Sequence, residues 1–161
     1  MDRKNTQPYT NHEPGRWQVI AYKSLIPALI LIPIWVAGGR GFFSVGGWGV
    51  LITIIYAVVL VFPYQLILLI LSLVNKQKYL TKLASGLLYT YYGLLVLTQI
   101  SLVDGGDTTE SINSVLTKTG ISEPLSEIIF SISFDALIGV MMILIIVMIV
   151  DTVQSRRAHN L

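Results

Sequence analysis

Asp135 is the residue in this sequence whose type and position most clearly call for chemistry. It falls about ten residues into an apolar stretch that runs from about Leu125 to Val150. A carboxyl at such depth in hydrocarbon costs a few kcal/mol and marks a functional site by default. Glu127, Ser131, Asp135 and Gly139 recur every four residues, so on a helix they form a slowly drifting stripe along one face. Matching heights on neighbouring stretches nominate polar partners for Asp135. These are Tyr92 and Tyr91, Tyr56, and, a little further out, Gln99 and Thr98, with Gln65 deeper. No Lys or Arg lies at this level, so the carboxyl is expected in its neutral form unless water or a partner chain reaches it. Two roles stay open: an interhelical or intersubunit hydrogen-bonding group, and a proton or cation site. Gly86 and Gly93, seven residues apart on one face, and Gly139 are expected to let helices approach closely, within the chain in preference to a dimer seam.

Other chemistry is largely absent. With no Cys there is no thiolate metal site or thiol nucleophile. Both histidines, His12 and His159, fall in polar tails, away from the apolar segments. No phosphate-binding glycine loop, nucleophile elbow or zinc-protease signature occurs. Glu127 and Asp135 form the only conceivable acid–base pair, and they lie about 12 Å apart along a helix, too far to act on one bond. No cofactor, no metal and no enzymatic activity are expected. The acidic run Asp104 to Glu110 lacks the spacing of a calcium loop.

The elements that must position these residues follow from composition. The chain has 161 residues, 53% hydrophobic and 12% charged, about half the charge of an ordinary soluble domain. Four apolar stretches, about 19–37, 50–74, 83–103 and 125–150, each supply the roughly 20 residues that cross a bilayer core as helix. They are too long and continuous for strands of a membrane barrel. Pro27, Pro33 and Pro63 predict kinks, not breaks. The expected fold is therefore an all-α integral membrane protein, with a four-helix transmembrane domain over 17–151. It includes an outer loop 104–124 and is flanked by a disordered cytoplasmic tail 1–16 and a cytoplasmic tail 152–161. In that loop Thr109 is placed to cap a short helix ending at Gly120, with Ile112, Val115 and Leu116 on one face.

Basic residues set the orientation. With the N-terminus inside, the inner side holds Arg3, Lys4, Arg16, Lys23, Lys76, Lys78, Lys82, Arg156 and Arg157, nine of eleven, and the outer side Arg40 and Lys118. That bias puts both termini in the cytoplasm of a multi-pass protein of the cell membrane. Trp17, Tyr22 and Tyr79 then fit the inner interface, and Trp35, Phe42, Phe43 and Trp48 the outer one. The partners implied are the lipid bilayer and other membrane subunits or a second copy. Nothing supports nucleic acid, since the basic residues are those that topology requires. The functional expectation is a non-enzymatic subunit, assembly or accessory factor of a larger membrane complex. The alternative is a small proton- or cation-coupled transporter or channel using Asp135.

Overall fold

The computed structural model describes residues 13–42, 48–75, 77–103 and 114–159. Tail residues 1–12, Phe43, the acidic loop segment 104–113 and Thr109 lie outside them, as do the side chains of Arg40, Phe42, Trp48, Arg157 and His159. All regular structure among the described residues is helical: α1 (Arg16–Phe42), α2 (Trp48–Tyr56), a π-helical turn (Ala57–Val61), α3 (Phe62–Val74), α4 (Lys82–Ser101), α5 (Val115–Lys118) and α6 (Glu123–His159). Four helical segments are long and apolar enough to cross a membrane: Arg16–Gly39, Gly49–Val74, Lys82–Ser101 and Glu123–Arg156.

The prolines do not break the spans. Pro27 and Pro33 sit inside an unbroken α1. Pro63 has no N–H for the carbonyl four residues back, and its ring crowds that turn. The chain answers by widening the preceding turn, where the Phe62 N–H donates to the Ala57 carbonyl, five residues back. The second span therefore stays continuous through α2, the π turn and α3. One face survives the change of pitch, and Ala57, Val61, Tyr64, Leu68 and Ser72 all point inward.

The four long segments close into a bundle. α1 packs against the second span and against α4, while α6 packs along α4 and against α3. Leu25 and Val36 of α1, Val61 and Leu68, Leu88, Tyr91 and Leu95 of α4, and Leu137 and Leu144 of α6 are all fully buried. The outward faces are equally apolar. Ile30 and Leu31, Ile52 and Val59, Leu83, Ile132, Met142 and Ile146 stand exposed, an arrangement that suits a lipid surround and not water.

The two ends of the bundle differ in charge. At one end the Gln18 amide donates to the Leu80 carbonyl at 2.9 Å, and the Thr81 hydroxyl donates to Asp151 at 2.7 Å. Those contacts gather the start of α1, the α3–α4 turn and the last turns of α6, with Arg16, Lys78, Lys82 and Arg156. At the other end Ser126 donates to the Ser101 carbonyl at 2.9 Å and shares a 2.8 Å hydrogen bond with Ser114. Glu123 and Glu127 lie there.

Two expectations are refined. Within the expected tail, residues 152–159 are helical, because α6 continues to His159. The short loop helix is capped by Ser114, which accepts from the Thr117 N–H in a reciprocal capping box. Gly120, at φ +97°, ends it as the spacing implied.

Candidate functional site

α6 turns its helix-forming apolar residues both ways, and the side on which Asp135 falls decides what it can do. Ser126, Ser133, Leu137, Leu144 and Met148 face the bundle. Asp135 lies nine residues before Leu144, which is two and a half turns, so the two side chains point in opposite directions. Asp135 is exposed on the outward side of α6, and neither a hydrogen bond nor an ion pair joins it to any described residue. Glu127, Ser131 and Gly139 are exposed on the same side. The stripe read from the four-residue spacing is real, and it faces away from the chain's own core.

Depth can be read from the contacts that pair α4 with α6. Ser126 meets Ser101 at one end of that pair and Asp151 meets Thr81 at the other. Asp135 is nine residues in from Ser126, about 14 Å along the helix axis. In a bilayer this sets a carboxyl well inside the hydrocarbon layer, at a cost of about 3 kcal/mol if lipid is its final neighbour. Around it stand Ile128, Ile132 and Met142, each more than half exposed.

The polar residues matched to Asp135 by height form a separate set inside the bundle. The Tyr64 hydroxyl donates to the Met141 carbonyl at 3.0 Å, and the Gln65 amide donates to the Tyr91 hydroxyl at 3.3 Å. Tyr64 and Tyr91 have ring centroids 5.0 Å apart, and Tyr91 and Tyr92 5.5 Å. The Tyr92 hydroxyl is buried and has no hydrogen-bond partner among the described residues. Tyr56 packs on Phe134 at 6.4 Å with its buried hydroxyl unpaired, and the carbonyl oxygen of buried Gln99 is also without a partner. Thr98 donates to Ser133 at 3.4 Å. Tyr56, Tyr92 and Gln99 therefore line the interior while Asp135, Glu127 and Ser131 line the exterior, and the two groups do not meet.

The inward hydroxyls illustrate why Asp135 is the exception. Thr98 donates back to the Leu94 carbonyl, Ser133 to Phe130 and Thr152 to Met148, so a hydroxyl on a helix satisfies itself within one turn. The Asp135 carboxyl makes no such bond back to its own helix among the described residues and is left for partners from outside it.

The glycines correct a further expectation. Gly86, Gly93 and Gly139 are exposed, and a Cβ at any of them would meet no atom within 4 Å. They do not pack helices of this chain together. Of the two uses foreseen for them, close approach of another chain is the one their position allows.

Tyr64 is the residue that reading by height passed over. Its signal was present in the 4-3-4-4 spacing of Ala57, Val61, Tyr64, Leu68 and Ser72, which lays one inward face across the proline. Comparison with known proteins adds no relative: no family model, no curated protein and no solved structure matches the chain.

Proposed function

We propose that this chain is a non-enzymatic multi-pass membrane protein acting as a subunit, assembly factor or accessory factor of a larger membrane complex. It is seated in the cell membrane with both termini cytoplasmic. The single observation behind the reading is the outward Asp135. A carboxyl facing lipid at that depth is costly, whereas the same carboxyl facing a second protein completes a contact. Support for the orientation is the gathering of Arg16, Lys78, Lys82 and Arg156 at one end and Glu123 and Glu127 at the other.

Isolation from native membranes in a mild detergent tests this. The chain is expected to leave the membrane in an assembly larger than itself, with another membrane protein in fixed ratio. A clean monomer with transport activity of its own would overturn the proposal.

The second reading, a small proton- or cation-coupled transporter or channel, is constrained by the same geometry. Because Asp135 is outside the bundle interior, a path through it runs between copies of the chain. Proton flux in liposomes, comparing wild type with Asp135→Asn, decides: equal flux in both removes that reading, and flux lost in the variant supports it.

A further inference from the structure

Resting on the reading that the outward face of α6 docks a membrane partner, we propose that the partner is a transmembrane helix carrying one lysine or arginine at the level of Asp135. Charge complementarity is the first ground. The described basic side chains of this chain stand elsewhere: Arg16, Lys23, Lys78, Lys82 and Arg156 towards one end, Lys118 beyond the other. None forms an ion pair with Asp135, and α1, which carries Lys23, packs mainly on the second span and on α4. The described residues of a second copy bring no cation to that level either. Its parallel two-fold contact would set Asp135 against Asp135, which leaves any charge on either carboxyl uncompensated.

The surroundings of Asp135 fit the stem of a long cationic side chain. Ser131 and Gly139 sit one turn to either side, and the space over Gly139 is open to at least 4 Å from a Cβ. A facing helix can therefore come close. Ile132 one turn away, and Ile128 and Met142 two turns away along the same exposed side, offer methyl and thioether surface to the methylene stem of Lys or Arg, with the charged head delivered to the carboxylate. An ion pair sealed from water adds less strength than its Coulomb energy suggests, because both ions are desolvated. What it sets is register, since any other alignment leaves two unpaired charges in hydrocarbon. Asp135 acts as a depth mark that admits one kind of partner helix at one height.

The test uses the full chain in phosphatidylcholine vesicles, with synthetic leucine–alanine helices of about 22 residues as probes and energy transfer as the readout. Four probes differ at one site: a central lysine, a central leucine, a central glutamate, and a lysine two turns off centre. The central-lysine helix is expected to associate at least tenfold more strongly than the leucine helix. That gain should vanish in Asp135→Leu, shrink in Asp135→Asn, and be absent for the displaced lysine. Circular dichroism of both variants checks that the helices are intact. Equal association of the lysine and leucine helices would overturn the proposal, as would glutamate matching lysine, or a gain that survives Asp135→Leu. Association between labelled copies of the chain that disappears in Asp135→Leu would also overturn it. None of these outcomes touches the wider docking reading, which stands or falls on isolation from native membranes.

Discussion

Asp135→Leu is expected to release the chain from its native assembly by more than tenfold while leaving the isolated bundle at least as stable as before. The two halves of that result have separate causes. Removing one member of a desolvated, paired charge strands the other in hydrocarbon, which typically costs 3–5 kcal/mol. The bundle loses no hydrogen bond or ion pair, because Asp135 is exposed and makes neither with any described residue of its own chain. Without a partner, the carboxyl itself is the liability, and exchanging it for leucine removes a penalty of about 3 kcal/mol. Quantifying co-isolated protein per chain in a mild detergent gives the first half, and an unfolding titration of the purified chain gives the second. A variant that unfolds more easily yet stays in its assembly would place Asp135 inside the fold and reverse the account.

Tyr91→Ala carries the largest expected effect on the fold, a loss of about 3–5 kcal/mol. Tyr91 is fully buried, lies between the rings of Tyr64 and Tyr92 and accepts the Gln65 amide. Alanine opens a cavity where α4 faces the second span and also leaves Gln65 with both ends of its side-chain amide unsatisfied, its carbonyl oxygen being already unpaired. Tyr91→Phe separates the two contributions. It keeps the ring and loses about 1–3 kcal/mol for the stranded amide. Tyr89→Ala, two residues away on the exposed side, removes one 3.2 Å hydrogen bond to the Trp17 carbonyl and should cost less than about 1 kcal/mol. Reversible unfolding of the three variants in mixed micelles ranks them. If Tyr89→Ala costs as much as Tyr91→Ala, the inward and outward faces of α4 are wrongly assigned.

Length and composition made the four spans and the helical class legible. A run of about 20 apolar residues has few structural options once water is gone, and the observed spans agree with the expected ones to within a few residues except where α6 runs on. Which face of each span points inward was not legible, and the reason is physical. In a water-soluble helix the polar side marks the outside. Here Ile132 and Leu137 are equally apolar, one exposed and one fully buried, because lipid and core make the same demand. Depth, by contrast, is set by residue count alone, and Tyr56, Tyr92 and Gln99 all lie within helices long and apolar enough to cross a membrane. Height cannot tell a neighbour across the core from one on the far side of a helix, so grouping them with Asp135 did not hold. The glycines misled for a related reason: small residues favour close approach without saying whose helix approaches.

The central claim is that the outward face of α6 is a seat for a foreign membrane helix. A photo-crosslinking scan in native membranes tests it most directly, with a reactive amino acid placed in turn at Ser131, Asp135, Gly139 and Met142, and at Ser133, Leu137 and Leu144. The account predicts crosslinks from the first set, mapping to one membrane helix with a lysine or arginine at that depth, and only intrachain products from the second. Products from the first set confined to lipid or to this same chain would contradict it.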